Sequence, residues 1–324
     1  LRDAVIMGVV ADNATYPPGT PVRGTDYNAA YAALLRWFGL LDAPAGVDTS
    51  RFWDDLVDDD LALELPGVEH GGPSTPADAV ARLRTQAQRS HQLGFDGLTL
   101  VWLGRQQYQL EATVLEQTRD ADGVVASRTC TYRALLRKRP DGIMVFRSIA
   151  LAAEEAEVAA AFVPTYEINR AKATMVQFQT HTDLLTGDAV PMRELLMPAL
   201  ELNGLVNSKS DSTRGEGENF TDVRSLRETI SDGERRQDNV IRTFEEFAAW
   251  FASCTALFRP NGFHKLERFE VSPLPDRRFE VIAQFHWQAE TLNGAAIDLH
   301  TPLTWILVDT DEKYMRIERL LPFG

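Results

Sequence analysis

GRQQYQLEATV at 104–114 and PDRRFEVIAQF at 275–285 are the two stretches whose comparison decides the fold. Laid on one another, they put Tyr108 on Phe279, a displacement of 171 residues. With the displacement kept, Gly123 meets Gly294, Leu136 meets Leu307 and Met144 meets Met315. Few residues are identical, yet three strands and their turns stay in register without a gap. Self-similarity at a fixed spacing predicts a duplicated structural unit.

Inside each stretch the period is two. Tyr108, Leu110, Ala112 and Val114 alternate with Gln107, Gln109, Glu111 and Thr113, which predicts a strand with one apolar and one polar face. Asp122-Gly123 before Val124–Lys138, and Pro140-Asp141-Gly142 before Ile143–Leu151, are hairpin signals. In the later copy Phe279, Val281, Ala283, Phe285, Trp287 and Ala289 share a face, and Asn293-Gly294 supplies the turn.

Upstream, Tyr27, Tyr31, Leu34, Phe38 and Leu41 form one stripe of an amphipathic helix over Asp26–Leu41, with Asp26 as its expected N-cap and Gly39 loosening its last turn. Asp48-Thr49-Ser50 opens a second short helix carrying Phe52, Trp53, Leu56 and Val57. Asp60–Leu65 alternates as a half-buried strand, Thr75-Pro76 starts a third helix to about Gln88, and His91–Leu103 is a first long strand. The order restarts after an Ala/Glu-rich linker: Ile168, Ala171, Met175, Phe178 and Leu185 mark a helix, 188–197 a second, and Thr243–Cys254 a third. ALELNG at 199–204 repeats ALELPG at 62–67 at a displacement of only 137, so the later copy gains residues within Asn207–Asn239, expected as a disordered segment or passive surface flap, with an active-site lid as the alternative.

The expected class is therefore α+β, two domains of three helices each packed on a curved, mostly antiparallel sheet. The expected boundaries are an N-terminal arm at 1–24 with a strand near Ala4–Val10, a first domain at 25–152, a linker at 153–166, and a second domain at 167–324 with its insertion at about 205–241.

Across 324 residues the formal net charge is −14, which argues against nucleic acid or an anionic membrane as partner. Cys130 and Cys254 fall in different halves, so neither a disulfide framework nor a cysteine-ligated zinc site is expected. The longest apolar run, Ala4–Ala11, is too short to span a bilayer and follows Asp3 rather than a basic segment, which leads to the expectation of a cytoplasmic protein.

The order of elements resembles the NTF2-like (cystatin-like) superfamily, cone-shaped α+β domains that include SnoaL-like cyclases, ketosteroid isomerase and scytalone dehydratase. WFGLLD at 37–42, the run Asp58-Asp59-Asp60, Pro66-Gly67, FHKL at 263–266 and WQA at 287–289 are the words that carry the resemblance. It implies two cones in one chain, packed sheet to sheet as an intrachain pseudo-dimer, with a homodimer as the further possibility. It also implies cofactor-independent chemistry (cyclase, dehydratase or isomerase type) on a small apolar or polycyclic ligand. The alternative is a non-catalytic binding or scaffold protein on the same fold.

In catalytic members an Asp after the first helix orients a His at the start of the second strand, and Asp42 and His91 match those places. A carboxylate fixes the tautomer of such a histidine and stabilises its imidazolium, which makes it a general base. His264 corresponds to His91 in the later copy, but Thr186 stands where Asp42 does, so the first copy is expected to be the active one. The isomerase carboxylate position holds Leu65 and Leu202, which disfavours that mechanism, and Glu64 and Glu201 point away from the leucines. Trp37, Phe52, Trp53, Trp102 and Tyr108 in the first copy, with His264, Trp250 and Trp287 in the second, are the expected ligand-lining residues. No metal site is expected, because His70, His181, His286 and His300 are scattered; His286 and His300 can still meet as a cross-strand pair with Asp298 nearby.

Overall fold

The computed structural model describes residues 22, 24–53, 55–65, 75–140, 142–184, 263–310 and 314–321. The expected arm strand, the insertion, the second-copy helices at 188–197 and 243–254, and Trp250 and His70 lie outside the described residues. By contacts the chain divides into a unit of residues 12–173 and a second of 1–11 with 174–324.

In the first unit, α1 (Gly24–Asp42) leads through a single 3-10 turn at Ser50–Phe52 to β1 (Val57–Glu64). Then come α2 (Pro76–Gln86), β2 (Gln88–Gly104), β3 (Gln107–Arg119), β4 (Val125–Lys138), β5 (Met144–Ala153) and the short β6 (Glu157–Val158). The sheet order is β1-β5-β4-β3-β2, with β1 parallel to β5, the rest antiparallel, and β6 continuing along the β4 edge beyond β5. This is a mixed α+β unit built on a curled sheet.

Alternation along β3 is as the side chains require, Leu110, Ala112 and Val114 buried and Gln109, Glu111 and Thr113 exposed. β2 is bent where its register against β3 slips between Leu93 and Leu98. A bulge of this kind sharpens local twist, and Gly97 permits it: a Cβ there would lie 2.8 Å from the Thr113 carbonyl oxygen.

Three local expectations are corrected. α1 is buried on every side from Ala29 to Asp42 rather than along one stripe, because Ala29-Ala30, Ala32-Ala33, Leu35 and Leu40 offer small or apolar surface all round. Arg36, within that buried helix, gives Nη1 to the Asp55 carbonyl (2.9 Å) and Nη2 to the Met144 carbonyl (3.2 Å). Asp26 is not the N-cap: the helix already begins at Gly24, and Asp26 instead accepts from the Tyr108 hydroxyl at 2.9 Å and from Lys138 Nζ at 2.8 Å. The segment opened by Asp48 forms only the 3-10 turn, and Val57 already belongs to β1. The α2 start is as its sequence dictates, with Thr75 and Asp78 closing a reciprocal capping box before Pro76.

The second unit contributes most of α3 (Tyr166–Leu184) and the sheet β10-β9-β8-β7, made of β7 (Phe263–Leu274), β8 (Arg278–Glu290), β9 (Ala296–Val308) and β10 (Arg316–Leu321). β3 spans 107–119 and β8 spans 278–290, so both ends keep the displacement of 171. The positive-φ turn residues Arg105 and Gln106 recur as Asp276 and Arg277, and Gly123 recurs as Gly294, at the same displacement. Val281, Ala283 and Phe285 are buried, and Phe178 of α3 packs edge-on against Trp305 at 4.9 Å. No helix among the described residues is long and apolar enough to cross a membrane.

Candidate active site

α1 ends at Asp42 and β2 begins three residues before His91, and the fold brings the two side chains together. His91 Nδ1 lies 2.5 Å from Asp42 Oδ1, and the His91 backbone N–H donates to Asp42 Oδ2 at 3.1 Å. β2 is an edge strand, so its outward N–H and C=O at residue 91 need partners other than a neighbouring strand. Asp42, the Thr165 hydroxyl (3.0 Å from the His91 nitrogen) and Asn169 Nδ2 (3.0 Å from the His91 carbonyl oxygen) supply them. Asp42 Oδ2 also accepts from Thr165 at 2.9 Å and Asn169 at 3.2 Å.

The other imidazole nitrogen faces inward. His91 Nε2 is 3.0 Å from the Tyr132 hydroxyl and 3.7 Å from Glu116 Oε1. With Nδ1–H given to Asp42, the network assigns Nε2 as the acceptor of the Tyr132 proton. Phe38 stacks flat on the imidazole, centroids 4.8 Å apart and planes 1° apart, and meets Tyr132 edge-on at 5.4 Å. His91 has no exposed surface and Tyr132 has 1 %.

Register explains the neighbours. His91 of β2 opposes Glu116 of β3, which opposes Arg128 of β4, so one row crosses three strands. Arg89 Nη1 bonds to Glu116 Oε1, and Arg128 Nε reaches Glu116 Oε2 at 2.6 Å. The Cys130 thiol donates to the same Oε2 at 3.5 Å. Burial pushes the Glu116 carboxyl up, but His91 in its protonated form, Arg89 and Arg128 outweigh it and hold it below the usual glutamate value. Burial, then Glu116, pushes the Cys130 thiol up to about 12, and burial raises the Tyr132 phenol well above its ordinary value. Tyr132 therefore stays a neutral proton donor.

Glu116, Arg89, Arg128, Tyr132, Thr165 and Asn169 were absent from the sequence-based set. The alternation that runs Tyr108, Leu110, Ala112, Val114 points Glu116 inward at its next step, and the Asp122-Gly123 turn sets Glu116 opposite Arg128. Both signals were available. Thr165 and Asn169 had none.

The expected ligand-lining residues are scattered. Trp37 is fully buried between Trp53 (6.5 Å, edge-on) and Phe146 (6.1 Å). Phe52 is buried, Trp53 and Trp102 are half-buried, and Tyr108 is committed to Asp26. His264 and Trp287 occupy paired register positions on β7 and β8 of the second unit. Glu64 is exposed, as the alternation requires, and borders an outer-face groove of about 330 Å³ with Gln109, Arg133 and Ser148.

No family profile matches the chain, and no curated protein matches it. Among solved structures, it is similar to a hexachlorocyclohexane dehydrochlorinase, LinA type 2, with 17 % identity over 43 % of this chain and 96 % of the other at a TM-score of 0.31. It is similar also to a protein of Novosphingobium aromaticivorans assigned as a scytalone dehydratase (13 % identity, 50 % and 91 % covered, TM-score 0.30). A third is hexachlorocyclohexane dehydrochlorinase LinA-type3 of Novosphingobium barchaimii (16 % identity, 50 % and 94 % covered, TM-score 0.27).

Proposed function

We propose that residues 12–173 form an NTF2-like cone with a cofactor-independent acid–base site, acting on a small apolar or polycyclic molecule in an elimination, cyclisation or isomerisation. The observation that carries this reading is the bracketing of one imidazole, Asp42 on Nδ1 and Tyr132 on Nε2, inside an apolar wall. Buried ionisable groups are expensive unless paired, and a cluster of Asp, His, Glu, two Arg and Tyr is more than an apolar sheet needs to hold together. Such clusters concentrate at sites of proton transfer.

In this reading a substrate takes up a position against Nε2, which accepts a proton from carbon. Asp42 stabilises the imidazolium, with Glu116 as a second carboxylate close by. Tyr132, kept protonated by burial, donates to the oxygen or leaving group on which charge develops. Residues 159–170 supply Thr165 and Asn169 to the dyad through polar contacts, so their displacement is the opening this mechanism requires. The second unit is read as a degenerate copy of the same cone, with Thr186 in place of Asp42.

The competing reading is a closed scaffold in which the dyad latches the β2 edge to α1, and the absence of exposed surface on His91 favours it. Deuterium incorporation separates the two. The full chain is incubated in D2O with a panel of cyclic ketones, hydroxy-ketones and polycyclic phenols, and exchange at carbon is read by mass spectrometry. Exchange lost in His91→Gln and reduced in Tyr132→Phe supports the catalytic reading. No exchange with any compound, or equal exchange in both variants, supports the scaffold.

A further inference from the structure

The outward face of the second-unit sheet carries a side-chain cluster independent of the first-unit site. His286 of β8 and His300 of β9 are directly opposed in register, and their rings stack with centroids 4.5 Å apart and planes 11° apart. Asp298 joins them from β9: its Oδ1 lies 2.7 Å from His286 Nε2, and its Oδ2 accepts from Gln288 at 3.1 Å. A third strand contributes Glu267, whose Oε2 lies 2.8 Å from His300 Nδ1. Glu267 is the residue where β7 slips against β8, between Leu266 and Arg268. Such an extra residue re-aims a side chain, here toward a histidine two strands away. One ligand atom from each of Glu267, His286 and His300 lies within 4.8 Å of the others.

We propose that Glu267, His286 and His300 bind a divalent transition-metal ion of the zinc type, with Asp298 as the carboxylate that orients His286. Two imidazoles and one carboxylate are a zinc-type donor set, whereas magnesium and calcium take oxygen ligands throughout. Zinc holds nitrogen and oxygen at about 2.0–2.2 Å, which sets tetrahedral donors about 3.3–3.5 Å apart, so Glu267 and His300 open slightly from 2.8 Å and the wider separations close from within 4.8 Å. Torsions of solvent-facing side chains accommodate that. Three protein ligands leave a fourth position open to water or a small anion.

Asp298 fits the orienting role. Its Oδ1 lies 2.7 Å from His286 Nε2, and Gln288 holds the other oxygen at 3.1 Å. A carboxylate on one imidazole nitrogen turns the other toward an ion. Isolated surface pairing accounts for each His–carboxylate contact singly. It does not account for three strands and a bulge converging on one point. Lys265 occupies the register position opposite His286 and adds a positive charge that opposes the ion.

The test uses the full chain without a polyhistidine tag, titrated with ZnCl2 at neutral pH by calorimetry and by competition with a chromophoric chelator. One ion per chain with a Kd of about 1 µM or tighter is expected. His286→Ala and His300→Ala should each weaken binding by about 100-fold, and Asp298→Asn by about tenfold. Lys265→Met should tighten it. Glu270→Gln, on the same sheet but outside the cluster, should leave it unchanged, and circular dichroism verifies that each variant is folded. Absence of one-to-one binding, the same affinity in His300→Ala, or equal binding of MgCl2 overturns the proposal.

Discussion

The Thr165 hydroxyl donates to Asp42 Oδ2 at 2.9 Å across a separation of 123 residues, and the same oxygen of Thr165 accepts the His91 backbone N–H at 3.0 Å. One hydroxyl thus ties the end of α1, the open edge of β2 and the start of α3. The dyad is held as much by the segment after β5 as by the helix and strand that carry it.

Removal of that tie should therefore be felt at His91. Thr165→Val keeps the volume but leaves the His91 N–H without one acceptor, at a cost of about 1–2 kcal/mol. Asn169→Leu removes donors to both Asp42 and the His91 carbonyl and should cost about as much. Urea denaturation reads the stability. The His91 amide should also exchange faster with solvent in both variants, and unchanged exchange would remove Thr165 and Asn169 from the site.

Asp42→Asn and Tyr132→Phe should separate tautomer control from proton donation. Asparagine in place of Asp42 can present an NH2 group to Nδ1 and reverse the tautomer, so 15N shifts of the His91 ring should move protonation from Nδ1 to Nε2. Tyr132→Phe should leave the tautomer as it is, cost about 1 kcal/mol of stability, and slow any turnover by about 100-fold. A single unchanged ring spectrum across both variants contradicts the assigned network.

Glu116 should govern acid stability. Its carboxyl is held below the ordinary value of 4.5, so it binds fewer protons in the folded than in the unfolded chain. Its contribution is fully present above the unfolded value and is lost as pH falls through the folded one. Glu116→Gln should destabilise the protein by about 3 kcal/mol at neutral pH, leaving Arg89 and Arg128 without their carboxylate. The gap to wild type should narrow below pH 4.5. Thermal melts at a series of pH values measure it, and a gap independent of pH would assign the stabilisation to packing alone.

Gly97→Ala tests the bend in β2. The added Cβ would stand 2.8 Å from the Thr113 oxygen and 3.2 Å from that of Gly94, both backbone atoms that cannot swing aside. A loss of about 1–3 kcal/mol is expected, against a far smaller effect for Gly94→Ala, where a Cβ meets nothing within 4 Å.

The sequence by itself determined β3, β4 and β5, their later counterparts β8, β9 and β10, and the turns between them. Alternation of side-chain polarity is local, and Gly123 and Gly294 sit at positive φ in turns where a side chain is disfavoured. The 171-residue displacement recurs in strand bounds and turn conformations because both stretches carry that local pattern. It also paired Asp42 with His91, which the fold brings to 2.5 Å of one another. The extent of α1 burial was not legible, since a helix of alanines and leucines reveals its neighbours only once they are in place. Only the tertiary structure joined Thr165 and Asn169 to Asp42, brought His91 against the Glu116–Arg128 pair, and added Glu267 to the group of His286, His300 and Asp298. Those relations depend on register across strands and on chain returning from far along the sequence, where no periodicity links the partners.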